Sequence, residues 1–191
     1  MTRERNKTHK LAIAGLMAAL CFVGYMFFPA FTVTGTKIHV GNAFVVLGAL
    51  LLGGSYGGLA GAVGLTLADI ISGYAESAPR TFITKLVIGL VVGLIAHKIA
   101  KLSETHDRKY IVLWSSVATI SGLGVNCIFE PFLKWIWYTL LTPNADKAAS
   151  AINALMIWTR YTTLINALIN SVIAIILYIA VRPVLKKQNL I

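Results

Sequence analysis

The chain is built from long blocks of apolar residues with the polar positions pushed to their edges. Leu11–Thr36 and Ile38–Ala68 contain no charged residue, and neither do Tyr110–Phe129 and Tyr161–Val181. A bilayer core is crossed by about 20 consecutive apolar residues in a helix. The strands of a membrane barrel would alternate apolar and polar positions, and these blocks do not. The pattern therefore predicts membrane-spanning helices. Pro29 closes the first block, and the run Gly53-Gly54-Ser55-Tyr56-Gly57-Gly58 punctuates the second, as paired glycines do. Six helices result: Leu11–Phe28, Val40–Leu52, Leu59–Ile71, Thr81–Ile99, Ile111–Tyr138 and Ala154–Val181. The expected fold class is an all-α integral membrane protein, a six-transmembrane-helix bundle forming a single membrane domain over residues 1–191. The second segment would be only about 20 Å long at 1.5 Å per residue. The second and third segments are thus short spans, the favoured reading, or a re-entrant hairpin.

Composition supports this class. Of 191 residues, 57% are apolar and 13% charged, whereas a soluble domain carries about 45–50% and about 25%. The net charge of +10 would point to nucleic acid in a soluble protein, but its distribution changes that meaning. Arg3, Arg5, Lys7 and Lys10 precede the first helix. Lys98, Lys101, Arg108 and Lys109 lie between the fourth and fifth, and Arg182, Lys186 and Lys187 end the chain. These are most of the 17 basic residues, in three segments that one topology puts on one face. By the positive-inside rule both termini are cytoplasmic, in the cell membrane, and no nucleic-acid partner is implied. A cleaved signal peptide would have a shorter apolar core, about 7–15 residues, and a small-residue site; Phe27-Phe28-Pro29 is not one. Cys21 and Cys127 fall inside apolar helices and give no disulfide framework.

Small residues recur at four-residue spacing: Ala14/Ala18, Gly54/Gly58, Gly57/Gly61, Ala60/Gly64 and Gly89/Gly93. Such pairs let helices approach closely in lipid. They serve internal packing or the docking of another membrane protein, and the spacing alone does not separate the two.

Ionisable residues inside spans are costly and usually functional. Asp69, Lys85, Glu130, Lys134 and Arg160 are the candidates. Asp69 and Lys85 sit on neighbouring helices and can pair as a structural charge. Asn126, Glu130 and Lys134 recur every four residues, which puts them on one helical stripe, with Pro131 available to kink the helix. Glu130 and Lys134 can also simply pair along the helix. In the sixth helix Arg160, Thr163, Asn166 and Asn170 trace one face. The two asparagines bond neighbouring helices or a ligand, and Arg160 snorkels outward or binds an anionic or carbonyl group. Trp135, Trp137, Tyr138 and Trp158 form an interfacial belt or offer Trp158 as a stacking face for a flat ring. His39 and Asn42, before the second helix, join the same side. The expected result is an outward-facing pocket for a small polar molecule, with ligand candidates His39, Asn42, Lys85, Asn126, Glu130, Lys134, Trp158, Arg160 and Asn166.

Several chemistries find no motif. There is no phosphate-binding G-x-x-x-x-G-K-[ST] loop and no H-E-x-x-H zinc site. No nucleophile–base pair or continuous polar file marks a membrane enzyme or a channel, so the chain is not expected to be an enzyme and no metal site is expected.

The sequence His39-Val40-Gly41-Asn42-Ala43-Phe44, the glycine-rich Leu52–Gly58, Leu67-Ala68-Asp69-Ile70-Ile71-Ser72-Gly73-Tyr74 and Ala78-Pro79-Arg80-Thr81-Phe82-Ile83-Thr84-Lys85 together resemble the substrate-binding S-component of energy-coupling factor (ECF) vitamin transporters. The resemblance covers nearly the whole chain and is nearest to the riboflavin, hydroxymethylpyrimidine and vitamin B6 branch. It implies high-affinity capture of a vitamin, with a pyridoxine- or hydroxymethylpyrimidine-type ligand favoured and riboflavin the near alternative. It implies docking through an Ala-xxx-Ala motif, matched by Ala14 and Ala18, onto a transmembrane coupling protein. It also implies two ATP-binding-cassette ATPases that hydrolyse ATP in partner chains, leaving this chain without a bound cofactor.

Overall fold

The apolar blocks are helical in the computed structural model of the chain, which describes residues 2–28, 31–33, 36–141 and 149–188. In order, the helices are α1 (Thr2–Met26), α2 (Gly41–Leu52), α3 (Gly54–Ile71), α4 (Ala78–Gly93), α5 (Arg108–Ile136) and α6 (Ala149–Lys187). Wider π-helical turns, Leu94–Ile99 and Trp137–Leu141, continue α4 and α5. Five helical stretches are long and apolar enough to cross a membrane: Lys7–Met26, Gly54–Ile71, Ala75–Ile99, Arg108–Thr139 and Asn153–Lys187. α1 starts well before the expected Leu11, and α6 overruns Ala154–Val181 at both ends, because the polar ends of a helix carry no hydropathy signal.

The second helix is the exception. α2 has 12 residues, about 18 Å of rise, and nearly every one is buried. It packs on α1, α3, α4 and α6 and forms the centre of the bundle, not part of its lipid-facing wall. Its core contacts include Val45, Val46, Ala49 and Leu50, which meet Cys21 and Met17 of α1 and Leu65 of α3 in one apolar cluster.

The glycine run behaves differently from its expected role as a broad break. Only Gly53 leaves the helix, at φ 90°, a backbone region open to glycine and costly for residues with a Cβ. Gly54–Gly58 already belong to α3. Tertiary contact explains this: a Cβ on Gly57 would lie 2.2 Å from the Ala49 backbone nitrogen, so α3 folds back on α2 at backbone contact distance. Propensity read glycine as a breaker; the helix–helix approach uses it as a packing surface.

The all-α expectation needs one addition. A two-stranded antiparallel hairpin, β1 (Phe31–Val33) and β2 (Thr36–Ile38), lies between α1 and α2 with Phe31 opposite Ile38. Strands of three residues are too short for a readable alternation.

The two ends of the bundle differ in what they hold. At one end the Arg182 guanidinium donates to the carbonyls of Leu102 (2.6 Å) and Thr105 (2.8 Å), and Lys186 donates to that of Ser103. These bonds tie the end of α6 to the α4–α5 connection. Lys10 of α1 lies within electrostatic reach of His97 at the same end. The three basic segments therefore share one end. The hairpin and the α3–α4 connection lie at the other.

Candidate functional site

Two asparagines one turn apart on α6 organise the far end. The Asn166 Oδ1 accepts the His39 backbone N–H (3.2 Å), and its Nδ2 donates to the Lys37 carbonyl (2.9 Å). The Asn170 Oδ1 accepts the Ala43 N–H (2.8 Å), and its Nδ2 donates to the His39 carbonyl (2.9 Å) and to Asn166. A carboxamide offers two donors and an acceptor with two lone pairs, so two of them can hold the passage from β2 into the first turn of α2, where a helix leaves backbone N–H groups without i−4 partners. They clamp residues 37–43 against α6 and thereby fix the start of α2.

The clamp positions His39. Its Nδ1 accepts the Gly41 N–H at 3.1 Å, which assigns the ring proton of the neutral imidazole to Nε2. The ring sits 4.7 Å, centroid to centroid, from Tyr25. Burial, and secondarily the positive Lys85 and Lys37, hold the His39 pKa well below the usual histidine value. Lys37 lies with its ammonium 4.0 Å from the centre of the Tyr25 ring, and burial lowers its pKa against the opposing pull of Asp69.

Beneath the clamp lies a cavity of about 90 Å³. α2 contributes Asn42; α3 contributes Leu65 and Asp69; α4 contributes Arg80, Thr81 and Lys85. Asn126, Glu130 and Lys134 of α5 form one wall, as their spacing predicts, and Thr163 and Asn166 of α6 face them. Four cations, Lys37, Arg80, Lys85 and Lys134, meet two carboxylates, Asp69 and Glu130. Arg80 Nε lies 3.5 Å from Glu130 Oε1. Asp69 accepts a 2.5 Å hydrogen bond from the Thr81 hydroxyl, and Lys134 donates to the Thr159 hydroxyl at 3.2 Å. Lys85, 7% exposed, has no ion pair within 4.0 Å among the described residues. The expected Asp69–Lys85 and Glu130–Lys134 pairings are thus replaced by Asp69–Thr81, Glu130–Arg80 and Lys134–Thr159.

Besides Arg80 Nε, which faces Glu130 as an ion pair without a hydrogen bond, three polar atoms on residues lining this cavity have no hydrogen-bond partner among the described residues: Asn42 Oδ1, Asn126 Oδ1 and Thr163 Oγ1. Their residues are 2–3% exposed. Leaving a buried polar group unpaired costs about 1–3 kcal/mol. Such groups gathered around one cavity make a surface ready to receive donors and acceptors from a small molecule.

Seven of the nine ligand candidates lie together here: His39, Asn42, Lys85, Asn126, Glu130, Lys134 and Asn166. Of these, Asn166 has its amide committed to the clamp. Arg160 and Trp158 lie elsewhere, exposed on the outer wall of α6; the buried stripe of this helix runs through Thr159, Thr163, Asn166 and Asn170, and Arg160 is turned off it. Asp69 faces the cavity itself. Tyr25, Lys37, Tyr74, Arg80 and Thr81 line the cavity without having been singled out. Tyr25 ends the buried α1 series Ala14, Met17, Cys21, Tyr25, and Arg80, Thr81, Thr84 and Lys85 make a buried polar face on α4. Both series were visible as helical spacing. Of the small-residue pair on α1, Ala14 is buried in the core and Ala18 is half-buried, its carbonyl against Gly64. The small residues on the outer side of α1 are Ala12, Gly15 and Ala19. Among the described residues no His, Cys, Asp and Glu cluster suits a metal ion.

Neither curated proteins nor solved structures gave a match to the sequence. A family model described as ECF-type riboflavin transporter, S component, matches residues 5–183. That match spans nearly all of a multi-pass, apolar helical chain whose buried cavity is lined with polar groups, and the chain belongs to the family of ECF-type riboflavin transporter S components, the substrate-binding subunits of vitamin-uptake transporters.

Proposed function

We propose that the chain captures a water-soluble vitamin or vitamin precursor in the cavity between α2 and α6, for uptake by an ATP-driven ECF transporter. The observation that carries this reading is the set of unpartnered, buried polar atoms on Asn42, Asn126 and Thr163 around one cavity. His39 offers its Nε2–H, and Lys85 a buried ammonium, to the same space. A pyridoxine- or hydroxymethylpyrimidine-type ring is the favoured ligand. The small volume of about 90 Å³ supports it, since drug-sized ligands fill pockets of about 300–1,000 Å³. Tyr25 and Tyr74 supply the aromatic faces, a role expected of Trp158. Riboflavin is the second reading, favoured by the description of the family.

The rest of the reading follows the family. The basic end faces the cytoplasm with both termini, by the positive-inside rule, and the cavity opens outward. The chain forms one membrane domain, binds no cofactor itself and leaves ATP hydrolysis to two ATPase subunits. α1 docks on the transmembrane coupling protein, with Ala18 at the edge of the accessible small-residue surface and Ala14 holding the helix in place behind it. Replacing Ala18 by Trp is expected to abolish uptake by the assembled transporter while leaving ligand binding by the isolated chain intact.

The identifying experiment is mass spectrometry of the small molecule that copurifies with the protein, followed by titration calorimetry with pyridoxine, hydroxymethylpyrimidine and riboflavin. Tight binding of one of the first two supports the favoured ligand. Tight binding of riboflavin alone selects the second reading, and binding of none contradicts the function.

A further inference from the structure

α6 carries an arginine at each limit of its uncharged stretch, Arg160 and Arg182. At 1.5 Å per residue they lie about 33 Å apart along the helix, close to the ~30 Å thickness of a hydrocarbon core. The two therefore mark the two interfaces. Arg182 is buried, with its guanidinium on two backbone carbonyls. Arg160 is exposed on the outer wall and makes no hydrogen bond or ion pair among the described residues. Trp158 and Tyr161 beside it are 50% and 61% exposed, and such residues settle at headgroup height.

Next to Arg160, α5 and α6 part to leave a groove of about 670 Å³. Ile128, Phe132, Met156 and Leu164 make its walls apolar, and Pro131 contributes to the α5 side. Asn153 lies on the same groove, two turns nearer the start of α6. An apolar groove with one unpaired guanidinium at headgroup height has the chemistry of a lipid site. The planar guanidinium matches phosphate oxygens in a bidentate fork, and the groove offers the acyl chain an apolar bed. A zwitterionic headgroup would bring its own cation beside Arg160, whereas an anionic one would not.

We propose that this groove holds an anionic phospholipid, its phosphodiester on Arg160 and one acyl chain between α5 and α6. The site is separate from the vitamin cavity and does not depend on the identity of the vitamin.

The test uses the full-length protein in detergent, with native mass spectrometry to count bound lipid. The probes are phosphatidylglycerol, phosphatidylcholine of the same chains, and glycerol phosphate. Phosphatidylglycerol is expected to be retained about tenfold better than phosphatidylcholine. Arg160→Gln is expected to lower that retention about tenfold, and Arg160→Lys less. Ile128→Trp fills the groove with the charge left in place and is expected to expel the lipid as well; it decides the question if Arg160→Gln does not fold. Equal retention by Arg160→Gln or by Ile128→Trp, or equal retention of phosphatidylcholine, would overturn the proposal. Displacement of the lipid by glycerol phosphate would also overturn it, by making the site one for a free phosphate.

Discussion

The basic end and the cavity end are built from the same kinds of residue put to opposite uses. At the basic end, Arg182 and Lys186 are bonded to the carbonyls of Leu102, Thr105 and Ser103. At the cavity end, Lys85 has no ion pair within 4.0 Å among the described residues, and Asn42, Asn126 and Thr163 keep polar atoms unbonded. The first arrangement contributes to the fold. The second costs the fold stability, and native proteins rarely leave buried polar groups without a protein, water or ligand partner. The asparagine clamp shows that the cavity end is able to satisfy its groups: Asn166 and Asn170, on the same helix as Thr163, are fully engaged with the backbone of residues 37–43. Under the proposed function, the contrast separates residues that hold the site from residues left open for a ligand.

That contrast can be broken by substitution at either end. The largest effect on stability is expected for Arg182→Ala, which strands two carbonyls and removes charge-assisted bonds. Each such bond contributes about 1.5–3 kcal/mol, so the loss is roughly 3–5 kcal/mol, read as a lower melting temperature in detergent. Vitamin affinity should stay within about threefold. Lys85→Met is expected to do the reverse. Affinity for the vitamin falls about 100-fold, equivalent to about 2.7 kcal/mol, while the melting temperature of the empty protein holds or rises, since removing a buried unpaired charge favours the fold.

A smaller effect comes from pH. His39 accepts the Gly41 N–H and is held neutral, with its pKa well below 6.5 in the fold. The unfolded chain takes up a proton below about pH 6.5 and the folded one resists it, so stability is present above that value and declines as pH falls through it, by up to about 1.4 kcal/mol per pH unit. A melting temperature that drops between pH 7.5 and 5.5, and drops less in His39→Gln, would sharpen the account of His39 as a ring held neutral by burial, with Nδ1 engaged by the fold and Nε2–H left to the cavity. The smallest effect is expected for Trp158→Ala and Arg160→Gln. Both lie on the outer wall, and vitamin affinity should change less than about twofold by calorimetry. A tenfold loss in either would return them to the binding site.

The spans were legible because a bilayer imposes length and hydropathy on every helix that crosses it, and the α5 wall was legible because Asn126, Glu130 and Lys134 recur at the helical period. What escaped the sequence depends on tertiary contact. Gly53–Gly58 read as a break, yet all but the hinge at Gly53 are helical, because α3 lies against the backbone of α2. Arg160 read as part of the polar face of α6, yet it sits about a quarter of a turn from the centre of the buried stripe at 100° per residue, enough to face outward. The exchange of partners among Asp69, Lys85, Glu130 and Lys134 could not be read either, because Thr81, Arg80 and Thr159 come from positions that hydropathy treats as neutral or as helix ends.

The central claim is that open polar groups at the cavity end serve the ligand and bonded ones at the basic end serve the fold. A side-by-side measurement of melting temperature and vitamin affinity for Lys85→Met and Arg182→Ala tests it most directly. The prediction is a crossover: Lys85→Met loses affinity and keeps its melting temperature, and Arg182→Ala loses melting temperature and keeps its affinity. If Lys85→Met binds the vitamin as tightly as the unaltered protein, or melts as early as Arg182→Ala, the claim is contradicted.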